Sequence, residues 1–269
     1  MGERHAGNEN FPVASRLLPV WARPHVMAFY TFARTADDIA DAPGIDGAEK
    51  VAALEDLGQR LKRGAGEAGD PAFDLHHSLQ QTRVTAQYAE DLLQAFIRDA
   101  RRPTTDDWPD LMAYCALSAA PVGRYLIDLL GGVEGDDYQA SDALCAALQI
   151  LNHLQDAGDD YANLGRIYVP ADWMAAAGVV PADLARTAST APLRGVMVQM
   201  LDGVDALLVQ AEALPKAIRS RELAREAAGI LAIARRLSKA LRAQDPLAKR
   251  VTLSKLQAAL WFLWGALTA

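Results

Sequence analysis

The sequence predicts an all-α fold, a single-domain helical bundle around a central cavity. Three observations predict it. Apolar residues recur at helical spacing in long stretches of the 269-residue chain. No stretch sustains the period-2 alternation of a half-buried strand. The breaks between periodic stretches carry turn residues, as at Ala42-Pro43-Gly44 and in residues 64–71, GAGEAGDP.

Taken in order, residues 1–10 read as a flexible lead, and Phe11 to Pro19 brings the chain to a first helix. That helix starts near Pro24, where proline fits a first turn, and ends at Asp41. Val51, Leu54, Leu57 and Leu61 make an amphipathic helix of Ala48 to Arg63. Asp74 to Arg83 and Tyr88 to Ala100 follow, the latter with Leu92, Leu93 and Phe96 facing inward. Asp110 to Leu130 reads as one long apolar helix, with Pro121 kinking it. Asp142 to Asp160 is the central helix. Ala171 to Ala177, Ala191 to Leu214 and Ser220 to Ala243 come next. Lys249 to Ala269 closes the sequence, with an apolar helix over 256–269.

Composition narrows the function. Hydrophobic residues are 51% of the chain, enough for a sizeable core. A net charge of -7 and a pI near 5.3 argue against a nucleic-acid footprint. The two cysteines, Cys115 and Cys145, lie in apolar helical stretches and read as reduced core thiols, which suits a cytoplasmic protein. The start, MGERHAGNEN, lacks the apolar core of a signal peptide, and no uncharged apolar run reaches the roughly 18 residues of a spanning helix. No G-x-G-x-x-G follows a strand, so no nicotinamide domain is indicated.

The chemistry concentrates in two stretches. In LQILNHLQDAGDDYANLGRIYVP, residues 148–170, Asp156 and Asp160 are i,i+4 neighbours and share a helix face, with Gln149 and Asn152 near the same stripe. In the first helix Asp37 and Asp41 repeat that spacing, behind Tyr30 and Arg34. Stacked carboxylates repel unless a cation neutralises them. Two such faces suit a site where Mg2+ ions hold a diphosphate between helices. Read blandly, each pair is a solvated face and Arg34 an ion-pair partner of Asp37 or Asp38. Asp38 and Asp159 read as solvent-facing, and His153 as a satisfied helix histidine.

These motifs resemble the squalene and phytoene synthase family, among the class I isoprenoid synthases, over about residues 8–255. Tyr30, Arg34, Asp37 and Asp41 match its first motif. Gln149, Asn152, Asp156, Asp160, Gly165, Arg166, Tyr168 and Pro170 match its second, and Tyr114-Cys115 to Gly123 its mid-chain motif. Gln155 stands where the family carries arginine. The segments from Glu9 to Ser15, Arg23 to Val26 and Asp245 to Lys255 resemble its bacterial hydroxysqualene-forming branch, of the hopanoid pathway, although that branch leads us to expect a polar residue at Ala120.

The resemblance implies a lyase that converts presqualene diphosphate and water to hydroxysqualene. Asp37, Asp41, Asn152, Asp156 and Asp160 would hold Mg2+. Asn8, Asn10, Phe11, Arg34, Ala120, Gly123, Arg166 and Tyr168 would contact substrate. Tyr30, Tyr114, Gln149 and Asn152 would act at the reacting centre, with Tyr30, Phe11, Tyr114 and the small residues from Ala116 to Gly123 forming a dry cavity. Gln149 and Asn152 can ligate metal, hold the water or face the cation. Head-to-head joining of two prenyl diphosphates, and non-catalytic isoprenoid binding or scaffolding, are the rival functions. The tail with Trp261, Phe262 and Trp264 is either a buried terminal helix or a peripheral membrane contact at the inner face of the membrane, its charge supplied by Lys249, Arg250 and Lys255. Neighbouring pathway enzymes are possible partners.

Overall fold

The structure, a computed structural model, describes residues 18–268. Asn8, Asn10, Phe11 and the lead of residues 1–10 lie outside the described residues. The described chain is all-α. Its elements are α1 (Arg23–Asp41), α2 (Gly47–Arg63), α3 (Pro71–Thr82), α4 (Gln87–Arg101), α5 (Trp108–Ser118), α6 (Ala120–Leu129), α7 (Gln139–Leu164), α8 (Ala171–Ala176), α9 (Ala191–Gln210), α10 (Leu214–Ala217), α11 (Arg221–Ala243) and α12 (Lys255–Thr268).

Local chemistry sets these ends. Asp46 accepts from the backbone N–H groups of Ala48 and Glu49, and Gly64 closes α2 in the left-handed region. Asp70 and Pro71 start α3, Asp107 starts α5, Thr190 starts α9 and Ser220 starts α11. Gly165, at φ 66°, ends α7 and releases the chain toward Arg166.

Three boundaries differ from the sequence reading. The stretch read as one kinked helix, Asp110 to Leu130, is two helices. The backbone leaves helical geometry at Ala119 (φ -123°, ψ -48°), so Pro121 enters α6 at a first turn, where its missing N–H costs nothing. The helix read as Ala191 to Leu214 stops at Gln210. A 3-10 turn and the short α10 follow, because Pro215 is tolerated only in a first turn. The central helix runs longer than expected, Gln139–Leu164.

α1 to α4 pack on one another. α5 and α6 join them to α7, and α7 packs in turn on α9 and α11. Phe32, Leu54, Leu57, Leu75, Ile150, Leu151 and Leu193 are among the largest fully buried side chains. Phe29 stacks on Tyr125 with ring centroids 4.1 Å apart, tying α1 to α6. α6 approaches α7 at Gly123, where a Cβ would meet Ser141 Oγ at 2.5 Å and Cys145 Sγ at 2.6 Å. Between α1, α6, α7 and α11 lies an apolar cavity of about 360 Å3. It is lined by Val26, Phe29, Tyr30 and Ala33 of α1, Gly123 and Leu126 of α6, Leu144 and Leu148 of α7, and Leu223 and Ile230 of α11, among others.

Gly123→Ala forces α6 and α7 apart and lowers the free energy of unfolding by about 1–3 kcal/mol. Urea denaturation checks this; an unchanged midpoint would show that the two helices separate without cost.

Candidate active site

The polar site is built at the ends of α1 and α7. α7 carries its cavity residues, Ser141 to Leu148, in its first half and its motif residues, Gln149 to Asp160, beyond them. α1 has the same order: Val26 to Ala33 face the cavity, then Arg34, Asp37 and Asp41 follow. The two acidic ends meet through one side chain. Arg166, just past α7, places Nη1 2.7 Å from Asp41 Oδ1 and donates from Nη2 to the Ala40 carbonyl at 3.1 Å. A carboxylate at a helix C-terminus is disfavoured by the helix dipole, and this buried guanidinium offsets that.

Backbone pairing sets the position of Arg166. Ile167 N–H donates to the Pro103 carbonyl at 2.8 Å, and Thr105 N–H donates to the Ile167 carbonyl at 3.1 Å. This short extended stretch follows the end of α4. Successive residues alternate sides there, so Ile167 is buried while Arg166 and Tyr168 share the other side. That side faces Asp99. Tyr168 and Tyr114 both donate to Asp99 Oδ2, at 3.0 and 2.8 Å. Burial raises the pKa of the Asp99 carboxyl, opposed by the Arg166 charge and the two hydroxyl donors. Burial also holds both tyrosines well above the usual phenol range, so both hydroxyls remain donors.

Above this group His153 stacks on Tyr168, centroids 3.6 Å apart. The Gln149 amide nitrogen lies 3.1 Å from His153 Nε2. On the other side of the ring, His153 Nδ1 lies 3.9 Å from Asp160 Oδ2. His153 is buried with a hydrogen-bond partner in Gln149, and it sits between Gln149, Tyr168 and Asp160.

The remaining acids also meet cations. Arg34 Nη1 donates to Asp37 Oδ2 at 2.8 Å and Nη2 to Asp38 Oδ1 at 2.6 Å, so the bland reading of Arg34 describes this state. Arg250, from the segment after α11, reaches Asp156 at 2.9 Å. The Asp37 carboxyl is pushed up to about 6, first by burial and then by the charge of Asp41, with Arg34 and Arg166 pulling it down.

The structure brings Tyr30 and Gly123 to the cavity wall, and Asp41, Arg166, Tyr168, Tyr114, Gln149 and Asp160 to one connected polar cluster. Tyr114 does not line the apolar cavity; its hydroxyl turns to Asp99 instead. Ala116, Ala119 and Ala120 are also absent from the lining: Ala119 and Ala120 are buried in the packing at the helix break, and Ala116 is exposed. Asn152 lies on the same face as Asp156, half-buried. Gln155 is buried and donates to the Val251 carbonyl at 2.5 Å.

Asp99 escaped the sequence reading, and Arg250 entered it only as charge beside the tail. Asp99 follows Leu92 and Phe96 at i+7 and i+3, so helical spacing alone placed an acid on an inward face. Arg250 had no local signal, since its partner lies 94 residues away.

The donor set of the two acid pairs and Asn152, all hard oxygens, fits Mg2+, and the mutual repulsion that helps raise Asp37 is what a cation relieves. Among the described residues no three acids, histidines or cysteines yet converge on one point. Arginines hold three of the four motif carboxylates here.

This helical fold, with an apolar cavity running to paired aspartates, is of the isoprenoid synthase type. The model of the squalene/phytoene synthase family matches residues 4–257, and the chain belongs to that family. It is 40% identical to a hydroxysqualene synthase of Rhodopseudomonas palustris over 95% of this chain and 87% of the relative. A phytoene synthase of Rhodobacter capsulatus is 33% identical over 75% of this chain and 60% of its own length. The crystal structure of a squalene synthase from Alicyclobacillus acidocaldarius superposes with a TM-score of 0.78 at 33% identity, covering 89% of this chain and 90% of that one.

Asp99→Asn tests the buried cluster. The folded chain holds the Asp99 proton more tightly than the unfolded chain. Its stabilising contribution is therefore present below the ordinary carboxylate value of about 4 and is lost as pH rises through the raised value. The difference in unfolding free energy, wild type minus Asp99→Asn, should fall from pH 4 upward. A pH-independent difference in melts across this range would contradict the raised value.

Proposed function

We propose that the chain converts presqualene diphosphate and water to hydroxysqualene and diphosphate, with Mg2+ held by Asp37, Asp41, Asn152, Asp156 and Asp160. The observation that carries the reading is the shared polarity of α1 and α7: each leads from an apolar cavity wall to an aspartate pair, so one molecule with a hydrocarbon body and an anionic head fits the site. The similarity to hydroxysqualene synthases over nearly the whole chain supports the specific substrate.

In this reading the C–O bond to diphosphate breaks with its electron pair leaving on the phosphate oxygen. Water oxygen then bonds to the carbocation and loses a proton. Bound Mg2+ supplies Lewis-acid stabilisation to the departing diphosphate. Arg34 and Arg166 donate forked hydrogen bonds to the phosphates, and Tyr168 adds a hydroxyl. The cavity wall, with Tyr30 at its polar end, excludes bulk water from the cation. Gln149, held by His153, stands at the border where a single water is positioned.

The test is incubation of purified protein with presqualene diphosphate and Mg2+, without nicotinamide cofactor, and identification of products by mass spectrometry. Hydroxysqualene is expected, and none with EDTA. Product from farnesyl or geranylgeranyl diphosphate alone would move the chain to head-to-head joining, and no turnover with no Mg2+-dependent diphosphate binding would leave a binding protein.

Two sets of variants follow. Asp41→Asn and Asp156→Asn should each lower kcat/KM on the order of a hundredfold or more with helical content intact. Arg34→Ala should lower it on the order of tenfold to a hundredfold by removing charge-assisted bonds to phosphate. Unchanged kinetics in either set would refute the corresponding role.

A further inference from the structure

The tail is neither wholly buried nor a spanning segment; no helix among the described residues is long and apolar enough to cross a membrane. α12 has two apolar faces, and only one is covered. Phe262 packs where a Cβ on Gly229 of α11 would stand, and Gly265 sits against Ala228 and Ala232. The covered face needs those small residues, since α12 lies closely along α11. On the other face Leu256 is 70% exposed, Leu260 58%, Leu263 55% and Trp264 56%, with Trp261 at the edge at 37%. Positions i, i+4, i+7 and i+8 form one stripe, so these side chains make a continuous apolar ridge. A ridge of this kind on a surface helix marks an interaction site.

Charge says what covers it. From Pro246 to the end the chain holds no acid and three cations, although the net charge is -7; Arg250 is taken up by Asp156, contrary to its reading as headgroup charge, which leaves Lys249 and Lys255 beside the tail. α11 beneath carries six cations against two acids; Arg235 and Arg242 pair with Glu212, Asp202 and Asp205, and one of its own acids, Glu226, faces the cavity. The Arg236 guanidinium lies 5.9 Å from the Trp261 ring centroid, at the rim of the ridge. Leucine and tryptophan on one face, with lysine and arginine beside them, match a helix lying in a lipid interface. A second copy on a two-fold axis would set these same cations against each other. We propose that α12 is a peripheral docking helix for an anionic lipid surface, its Leu256–Leu260–Leu263–Trp264 ridge entering the acyl boundary and Lys249 and Lys255 meeting headgroups. The proposal stands whatever the chain catalyses.

α11 gives the docking a consequence. Ile230 and Leu223 line the apolar cavity, while Ala228, Gly229 and Ala232 seat α12. The bilayer would therefore lie one helix away from the cavity.

The test is flotation of the full-length protein with vesicles of phosphatidylcholine alone and of phosphatidylcholine with phosphatidylglycerol at 7:3. Binding to the anionic vesicles, weakened by salt, is expected. Leu260→Asp with Trp264→Asp should abolish it, and because both side chains are exposed the helical signal and melting temperature should hold. Lys249→Gln with Lys255→Gln should lower the partition coefficient roughly thirtyfold. The proposal is overturned if neither vesicle binds, or if binding survives Leu260→Asp with Trp264→Asp. It is also overturned if sedimentation shows a dimer that this variant dissolves while vesicles remain unbound, since the ridge would then belong to a second copy.

Discussion

Concentrated negative charge at the ends of two parallel-running helices is the constraint on which this architecture rests. Asp37 and Asp41 lie a turn apart on α1, and Asp156 and Asp160 a turn apart on α7. Like charges a turn apart repel, and the Asp37 carboxyl is raised first by burial and then by the charge of Asp41. The fold answers with cations from three directions: Arg34 from the same helix, Arg166 from the turn after α7, and Arg250 from the segment after α11. For the Arg166–Asp41 pair, whose guanidinium is buried, removing one partner costs more than the pair itself contributes, because the other charge stays behind desolvated. α1, the stretch after α7 and the stretch after α11 are therefore fixed to one another by electrostatics as well as packing.

The same arrangement divides the molecule. On one side of Tyr30 and Leu148 the walls are apolar apart from Ser141 and the buried Glu226; beyond them lie the motif carboxylates, arginines and the Asp99 cluster. Both halves are built on the same helices. An amphiphilic molecule bound across the boundary would have its head and body placed by the same rigid elements, and that is what precise positioning of a reacting carbon requires. The Asp99 cluster keeps Tyr168 from rotating freely: its hydroxyl is held by the carboxylate and its ring by His153.

Much of this was legible in the sequence. The all-α class followed from periodicity, and the acid pairs followed from i,i+4 spacing, since both are local properties of the chain. Tyr30 and Gly123 reached the cavity wall as read. What was not legible depended on where the backbone breaks or on distant partners. The family resemblance places Tyr114 at the cavity; the buried carboxylate of Asp99 holds its hydroxyl elsewhere. Asp99 itself was visible only as an acid on an inward row, a pattern with no meaning until Tyr114, Tyr168 and Arg166 are known to surround it. The outward ridge of α12 had no local signature either, because its sequence is apolar on both faces and only the packing on α11 tells them apart.

The departure at Gln155 shows how one physical requirement can be met from two places in a sequence. An arginine directly before Asp156 would sit about 100° around the helix from it. Here that position is buried, and an uncompensated charge there would be costly. Glutamine instead uses its amide to hold the Val251 carbonyl. Arg250, the residue before Val251, is thereby brought to Asp156 and supplies the guanidinium from across the fold. The neutral side chain at 155 and the charged one at 250 form one device: the first anchors the segment, and the second neutralises the acid.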